Sequence, residues 1–294
     1  MRVIKRVRHM AQVAEALRRR GERPLRQSSL ADGGRIGFVP TMGALHEGHL
    51  SLIRSARKET DAVVVSIFVN PLQFGPKEDF ARYPRDLPRD IALAAREGTD
   101  VVFAPSVEEM YPEGCRTTVE VEGLSDQLEG AMRPGHFRGV TTVVAKLFHI
   151  VQPTTVYVGQ KDYQQAVIIT RMVEDVNIPV RIHVLPTVRE PDGLAMSSRN
   201  RDLTAAQRQH AAVIYRALQD AHAAIRQGER SVERLRARIR KMLRAQPLVR
   251  VQDLSIVDAK MLTPLKVIRG QAAVLVAARI GNTRLIDNLL VDVT

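Results

Sequence analysis

The sequence has few of the residues that mark secreted or membrane proteins. Cys115 is its one cysteine, so an intrachain disulfide is excluded and a reducing, cytoplasmic location is expected. No apolar run approaches the roughly 20 residues that a membrane span needs, and the basic N-terminus lacks the apolar stretch of a secretory signal. Tryptophan is absent and aromatic residues make up only 4% of the chain. The core is therefore expected to be aliphatic.

The excess of positive charge is confined to two segments. The 294 residues carry a formal net charge of +12, of which residues 1–26 supply +7 and residues 226–244 supply +6. Both segments show the apolar spacing of amphipathic helices, and no aromatic residue is interleaved with their arginines. This pattern favours solvated helix faces over a nucleic-acid surface. We expect neither nucleic acid nor a membrane as a partner.

Short apolar runs alternate with helical patterns in the first two thirds of the chain. Strands are predicted at 36–40, 62–69, 100–104, 118–121, 155–158 and 180–188, and helices at 50–59, 87–97, 140–151 and 163–176. Such alternation is typical of an α/β fold. The prediction is a Rossmann-like parallel sheet with helices on both faces.

The pattern changes after about residue 187. Thr204 and Ser231 are placed to cap helices that run to about residues 227 and 245. Strands are then predicted at 251–257, 272–278 and 285–291. This order predicts a smaller C-terminal α+β domain, with domains at 1–187 and 188–294 joined through the turn-rich loop 190–200. A surface loop is also predicted at 21–35.

The segment after the strand at 36–40 carries the first chemical motif. Residues 40–49 read Pro-Thr-Met-Gly-Ala-Leu-His-Glu-Gly-His and then open a helix. A strand, loop and helix N-terminus in this order bind phosphates, because free N–H groups and the positive helix end face the anion. His46 and His49 lie on one side of a helical turn, and Gly48 lets a flat base or ribose approach the backbone. Surface histidines at a turn are one alternative, and zinc is a weaker one because no third ligand is near.

A second motif, Gly-Leu-Ala-Met-Ser-Ser-Arg-Asn, occupies residues 193–200. Two hydroxyls and an arginine in a glycine-led loop suit a mobile phosphate clamp, because the forked guanidinium follows charge onto a leaving pyrophosphate. Alone, a serine-rich loop says little about function. Its combination with the His-x-Gly-His motif strongly favours a nucleotide-activating enzyme.

The two motifs resemble the HIGH and KMSKS signatures of class I aminoacyl-tRNA synthetases and related nucleotidylyltransferases. A closer resemblance, to pantothenate synthetases (pantoate–β-alanine ligases), is dense over residues 36–203. The segments that carry it are FVPTMGALHEGHLSLI, SIFVNPLQFGPKEDFARYPR, VFAPSVEEMYP, YVGQKDYQQ and TVREPDGLAMSSRN.

The resemblance implies an AMP-forming acid–amino-acid ligase of pantothenate and coenzyme A biosynthesis. In such an enzyme the pantoate carboxylate attacks the α-phosphorus of ATP, giving pantoyl adenylate and pyrophosphate. β-Alanine then attacks the adenylate, giving pantothenate and AMP. The resemblance also implies Mg²⁺ and a homodimer. The alternative is a nucleotidylyltransferase of the same fold that acts on another small acid or a phosphate acceptor.

Site residues follow from the resemblance, position by position. Those implied for ATP are Met42, Gly43, Ala44, Leu45, His46, Glu47, Gly48, His49, Gly159, Gln160, Lys161, Asp162, Val188, Met196, Ser197, Ser198 and Arg199. Those implied for catalysis are His46, His49, Lys161, Ser197, Ser198 and Arg199. In the family pattern His49 is the proposed proton donor, Lys161 contacts phosphate, Asp162 contacts ribose and Val188 contacts adenine through its backbone.

Asn70, Gln73 and Gln165 match the family's site for pantoate and β-alanine. Their neutral amides can hold a carboxylate and hydroxyls while leaving the carboxylate nucleophilic. A phosphate acceptor would instead require a basic pocket. In the family pattern, relatives tend to carry two adjacent acidic residues near the position of Arg89 and Asp90. Here only Asp90 is acidic, so it is the candidate contact to Mg²⁺, directly or through water.

Overall fold

The computed structural model of the protein describes residues 1–19, 34–76, 78 and 80–293. The predicted surface loop at 21–35 lies outside these residues except for its last two positions. The chain divides into two units, the first formed by residues 1–159 and 165–185 and the second by residues 160–164 and 186–294. The division into functional domains at 1–187 and 188–294 stays a prediction.

The first unit is built on a six-stranded sheet. Its strands are β1 (Arg2–Ile4), β2 (Ile36–Thr41), β3 (Ala62–Ile67), β4 (Val101–Phe103), β5 (Thr155–Gly159) and β6 (Arg181–Leu185). They lie in the order β1-β4-β3-β2-β5-β6, and every neighbouring pair is parallel. The predicted Rossmann-like parallel sheet is confirmed. β1 was not predicted, because three residues are too few to show a strand pattern.

Helices cover both faces of this sheet. They are α1 (Val7–Arg19), α2 (Glu47–Glu59), α3 (Leu87–Arg96), α4 (Val107–Met110), α5 (Glu129–Met132), α6 (His136–Val151) and α7 (Tyr163–Asp175). Phe38 of β2 packs edge-on against Phe148 of α6, with ring centroids 6.5 Å apart. The next residue, Val39, belongs to the core that includes Ile53 of α2 and Ala94 of α3. Because successive strand residues point to opposite faces, α6 lies on one face and α2 and α3 on the other.

The second unit joins a three-stranded antiparallel sheet to three helices. The elements are α8 (Ala205–Ala211), α9 (Val213–Arg226), α10 (Val232–Arg244), β7 (Val249–Asp258), β8 (Gly270–Ile280) and β9 (Thr283–Val293), with β8 in the centre of the sheet. Leu218, Leu235 and Val274 belong to its core and are fully buried. The expected α+β domain with an aliphatic core is confirmed. Thr204 and Ser231 cap α8 and α10 as predicted.

Two predicted elements differ in the structure. The residues at 118–121 do not form a strand. Instead the backbone of Val119 bonds to the side chains of α6, since its N–H donates to Thr142 Oγ1 at 3.0 Å and its carbonyl accepts from Thr141 Oγ1 at 2.5 Å. These bonds satisfy the backbone without a neighbouring strand. The helix predicted to run from Thr204 to about 227 is interrupted at Ala212, which separates α8 from α9.

Two arginines of α10 take part in ion pairs within the second unit. Arg234 pairs with Glu229 at 2.6 Å, and Arg238 pairs with Asp220 on α9. The basic helix therefore carries compensating acidic neighbours, as expected for a solvated face. In the part of the chain that the structure describes, no helix combines the length and the apolar composition that a bilayer crossing requires.

Candidate active site

The first unit has a topological switch point between β2 and β5. From β2 the chain builds outward through β3 and β4 on one side, whereas β5 and β6 lie on the other. Crevices at the carboxyl ends of strands at such a point bind ligands in open α/β sheets. The predicted segment 42–49 starts where β2 ends, and Gly159 is the last residue of β5. The sheet therefore brings these two parts of the predicted ATP site to the same edge.

A buried carboxylate holds the loop that follows β2. Asp90 of α3 is 1% exposed, and its Oδ2 and Oδ1 accept the N–H groups of Ala44 and Leu45, each at 2.8 Å. Ala44 has a φ of +52°, a left-handed conformation that costs a non-glycine residue about 1–2 kcal/mol. A Cβ on Gly43 would lie 2.9 Å from Asp90 Oδ2, so this close approach requires glycine. Asp90 thus stabilises a strained loop by hydrogen bonds.

These bonds bear on the magnesium prediction. Both oxygens of Asp90 already accept backbone N–H groups, and Arg89 Nη1 lies 3.8 Å from Oδ1. Within the described residues there is no group of three or more His, Cys, Asp or Glu side chains that could hold a metal ion. The side chains do not fit a dedicated magnesium cage, and an ion that arrives with ATP would be held mainly by the phosphates. A contact of Asp90 with Mg²⁺ stays a prediction.

The two histidines of the first motif form the start of α2. His46 precedes the helix and His49 lies in its first turn, with ring centroids 4.1 Å apart. The N–H of His46 donates to Nδ1 of His49 at 3.4 Å. Because Nδ1 accepts this bond, the proton of a neutral His49 ring lies on Nε2. Glu47 pairs with Arg54, which compensates the one negative side chain of the segment 42–49.

The structure joins Asn70 and Gln73 through their side chains. Asn70 Nδ2 donates to Gln73 Oε1 at 3.1 Å, and Gln73 Nε2 lies 3.0 Å from Met42 Sδ. Both amide residues are buried, at 1% and 8% exposure. The structure therefore joins two of the three residues predicted for pantoate and places one of them, Gln73, beside Met42, a residue predicted for ATP. The third, Gln165, lies half-buried in the first turn of α7.

Packing against α6 orients the turn that carries Asn70 and Gln73. Asn70 Nδ2 also donates to the carbonyl of Gly139 at 3.0 Å. A Cβ at Gly139 would lie 2.2 Å from the carbonyl oxygen of Leu72, so the close approach of α6 requires glycine there. Tyr111 donates its hydroxyl to Asn70 Oδ1 at 2.8 Å, and burial raises the pKa of this phenol. Tyr111 therefore remains a donor at neutral pH.

His136 and Arg133 support the same turn and were missed by the sequence analysis. His136 Nδ1 donates to the carbonyl of Gln73 at 2.7 Å, and its Nε2 accepts from Arg133 at 3.0 Å. Burial, together with the Arg133 charge, lowers the pKa of His136 to about 4. Arg133 in turn pairs with Glu78 at 2.6 Å, and this bond lowers the pKa of Glu78. His136 is therefore neutral at pH 7, and the arginine near the predicted pantoate residues has its charge compensated.

In the second unit, a short turn carries Lys161. Residues Gln160–Asp162 form one turn of 3₁₀-helix, in which Lys161 Nζ lies 3.6 Å from Asp162 Oδ1. Asn288 of β9 donates to the carbonyls of Gln160 and Lys161, both at 2.9 Å. The lysine side chain is 19% exposed. The turn is thus held by a strand far away in sequence.

The second motif of the sequence belongs to a small hairpin in the same unit. The Met196 N–H donates to the Val188 carbonyl at 3.0 Å, and Arg189 and Ala195 form a β-bridge. Val188 and Met196, both predicted for ATP, are therefore in contact. Ser197 Oγ accepts the N–H of Arg199 at 3.3 Å at the start of the 3₁₀ turn Ser198–Asp202. The Ser197 hydroxyl is left as a donor, and Ser198 and Arg199 occupy the first positions of that turn.

Four residues whose supporting role was not predicted share one property. Asp90 was assigned only to metal, and Asn288, Asp287 and His136 were not assigned at all, yet all four are polar and at most 9% exposed. A polar pair inside the apolar run Leu-Ile-Asp-Asn-Leu-Leu of β9 was a visible signal. Buried polar groups need partners, but the sequence does not show which loops supply them.

The family profile, the relatives in sequence and the solved structures all match this chain to one family. The profile of the family described as Pantoate-beta-alanine ligase matches residues 2–290. The pantothenate synthetase of Moorella thermoacetica is 58% identical over 258 residues, which are 88% of this chain and 91% of that protein. The crystal structure of pantothenate synthetase from Thermus thermophilus superimposes with a TM-score of 0.89 at 49% identity, covering 98% of this chain and 99% of that one.

A more distant solved relative was crystallised with small molecules. The pantoate–β-alanine ligase from Francisella tularensis is described as complexed with beta-gamma ATP and beta-alanine. It has a TM-score of 0.77 and 37% identity, and the match covers 99% of this chain and 97% of that one. The similarity extends over nearly the whole of both chains.

The buried imidazole of His136 predicts a pH dependence of stability. An unfolded histidine binds a proton near pH 6.5, whereas His136 in the folded protein does so only near pH 4. The unfolded state therefore holds more protons in this window, and the free energy of unfolding falls as pH is lowered through it. Between pH 7 and pH 5, His136 should lower the free energy of unfolding by about 2 kcal/mol.

Urea unfolding at the two pH values measures this loss. The variant His136→Asn keeps a donor towards Gln73 and should lose most of the pH dependence. His9 lies exposed on α1, so His9→Asn should behave as the wild type. An unchanged pH dependence in His136→Asn would show that another group is responsible.

Asp90 yields a second prediction, about the loop after β2. Asp90→Asn replaces one carboxylate oxygen, which accepts a backbone N–H, by an NH₂ group that cannot accept it. The free energy of unfolding should therefore fall by about 1–3 kcal/mol. The measurement is thermal or urea unfolding in EDTA, without nucleotide. Asp86→Asn is the matched control, because asparagine caps a helix as well as aspartate does. If Asp90→Asn is as stable as the wild type and alters only the magnesium requirement, the loop role is wrong.

Proposed function

The chain belongs to the pantoate–β-alanine ligase family, and from this membership we propose that it condenses pantoate with β-alanine at the expense of ATP. The products are pantothenate, AMP and pyrophosphate. The proposed intermediate is pantoyl adenylate. ATP and β-alanine as ligands have support from the Francisella relative, which is described in complex with beta-gamma ATP and beta-alanine.

One contact carries most of this proposal. Gln73, predicted for pantoate, lies 3.0 Å from Met42, predicted for ATP, and is bonded to Asn70. Adenylation needs the acid and the nucleotide side by side, because the carboxylate must attack the α-phosphorus. The supporting geometry lies wholly in the first unit. We assign pantoate to Asn70, Gln73 and Gln165.

The charge around Gln73 suits a carboxylate nucleophile. Asn70 and Gln73 are neutral amides, His136 is neutral at pH 7, and Arg133 is paired with Glu78. A compensated arginine leaves the negative charge of pantoate on its carboxylate oxygens, where attack on phosphorus requires it. The same compensation counts against the alternative of a phosphate acceptor, which calls for uncompensated cations.

The start of α2 suits the phosphates of ATP. Its positive helix end and N–H groups attract anions, and the Nε2 proton of His49 can donate a hydrogen bond to phosphate. We assign to His46 and His49 the stabilisation of charge that develops in the first step. Proton donation by His49 is secondary, since pyrophosphate leaves with little protonation.

The family resemblance assigns further residues to the nucleotide. Lys161 and Arg199 are assigned to the phosphates, together with the hydroxyls of Ser197 and Ser198. Asp162 is assigned to the ribose and the Val188 backbone to adenine. In the second step the amine of β-alanine attacks the acyl carbon and AMP leaves with the electron pair of the acyl–oxygen bond.

Three properties of the proposed enzyme are carried by the family resemblance. Mg²⁺ would neutralise ATP by binding its phosphates. A homodimer is proposed as the assembly, and the cytoplasm as the location. The absence of nucleic-acid and membrane partners stays a prediction.

AMP formation tests the reaction directly. Purified protein with ATP, pantoate and β-alanine should release AMP and pantothenate in equal amounts, measured by chromatography. Omitting pantoate or β-alanine should abolish steady turnover. Without pantoate no adenylate forms, and without β-alanine the adenylate stays bound because no amine consumes it. Equal AMP release without β-alanine, or transfer of AMP to a phosphate acceptor, would contradict the ligase and favour the alternative.

Two variants test the assignment of residues. Gln73→Ala should raise KM for pantoate about 10- to 100-fold and leave KM for ATP nearly unchanged, because a lost hydrogen bond costs roughly 1–3 kcal/mol. His49→Ala should lower the rate of pyrophosphate release by about 10²–10³. Gln12→Ala, on the exposed face of α1, is the control for amide truncation. Equal effects of Gln73→Ala on both substrates would show that the assignment is wrong.

A further inference from the structure

Two consecutive residues of β9 are polar and buried. Asp287 and Asn288 are 4% and 2% exposed, in the middle of a strand that pairs with β8 along its length. Burying a carboxylate or an amide costs free energy unless its polar atoms are bonded. Successive strand residues point in opposite directions, so this pair can bond to two different segments. Each of the two does so within the second unit.

Asn288 bonds to the turn that carries Lys161. Its Nδ2 donates to the carbonyl oxygens of Gln160 and Lys161, each at 2.9 Å, and its Oδ1 accepts from Gln160 Nε2 at 3.1 Å. Three bonds from one side chain determine the orientation of this short turn. Since Lys161 is the central residue of the turn, the direction in which its side chain leaves the backbone depends on them.

Asp287 bonds to the base of the hairpin at 188–196, which contains the start of the second motif. Its two oxygens accept from Arg189 at 2.7 and 3.0 Å. The Arg189 guanidinium lies 3.6 Å from the ring centroid of Tyr215 and also donates to the carbonyl of Gly193 at 3.1 Å. A bidentate ion pair stacked on an aromatic ring has little freedom. The hairpin that leads to Ser197 and Arg199 is therefore anchored to the same strand.

We infer that the Asp287–Asn288 pair of β9 positions Lys161 and the Ser197–Arg199 segment relative to each other, so that both groups act on ATP as one rigid set. Asp287 and Asn288 are positioning residues and do not themselves touch the nucleotide. The inference rests on the proposed function in that Lys161 and Arg199 are assigned to the phosphates of ATP. It predicts that substitutions of Asp287 or Asn288 lower kcat/KM for ATP and leave KM for pantoate unchanged.

Substitutions at Asn288 test the inference. Asn288→Ala should lower kcat/KM for ATP about tenfold or more, as expected for the loss of one or two well-formed hydrogen bonds, with KM for pantoate unchanged. Asn288→Ser keeps one donor, and its loss should be smaller. Gln271→Ala is the matched control, since it removes an exposed amide bond to Asp292 in the same sheet. It should have no effect on either substrate.

A double-mutant cycle separates positioning from general destabilisation. If Asn288 acts through Lys161, adding Asn288→Ala to Lys161→Ala should lower kcat/KM for ATP by less than twofold further, because coupled residues are non-additive. A full tenfold further loss, or an equal rise in KM for pantoate in the single variant, would overturn the inference. Asp287→Asn, which keeps the shape but removes the charge, should likewise impair ATP and spare pantoate.

Calorimetry with ATP alone gives a readout that does not depend on the ligase reaction. The dissociation constant of ATP should rise in Asn288→Ala and Asn288→Ser and stay unchanged in Gln271→Ala. Wild-type protein that binds ATP but makes no AMP with both acids would contradict the proposed function only. Unchanged ATP binding in folded Asn288→Ala would contradict the positioning role only.

Discussion

The hydrogen bonds of the Asp90 carboxylate are the constraint on which the first motif depends. Two backbone N–H groups of the loop after β2 point at its oxygens, and the loop has a left-handed residue at Ala44. Without a bonded acceptor, these buried donors would cost free energy and the loop would relax. The start of α2, with His46 and His49, follows directly from this loop. A carboxylate on α3 thereby sets where the helix begins and where its positive end points.

Hydrogen bonds to buried polar side chains also hold the other predicted site residues in place. In the first unit, Asn70 is bonded to Gln73, Gly139 and Tyr111, and His136 is bonded to the Gln73 backbone. In the second unit, β9 holds the Lys161 turn and the hairpin at 188–196 through Asn288 and Asp287. Asn70, His136, Asp287 and Asn288 each bond to a segment that carries predicted substrate contacts. These hydrogen bonds are shielded from water because the side chains that make them are buried.

Ion pairs compensate the charged side chains near the predicted pantoate and ATP residues of the first unit. Arg133 is paired with Glu78, and Glu47 is paired with Arg54. Near Gln73 this leaves a neutral environment, suited to a carboxylate that must attack. For the phosphates of ATP, the proposal assigns the positive helix end at His46. The proposal thus assigns the carboxylate to neutral surroundings and the phosphates to a positive helix end.

Much of the fold was predictable from local patterns. Apolar alternation located β2, β3 and β5 and the helices between them, and turn residues marked the loops, because these properties depend on short stretches of chain. The order of motifs also determined the family, and with it the candidate residues for ATP and pantoate. The strand expected at 118–121 was wrong because Thr141 and Thr142, distant in sequence, bond to Val119 instead. Only the tertiary structure decided that Asp90 holds the loop at 44–45, that Asn288 holds Lys161 and that His136 stays neutral. Asp90 and Asn288 bond to partners 45 or more residues away, and His136 is kept neutral by burial together with the charge of Arg133. No local pattern encodes burial or such distant partners.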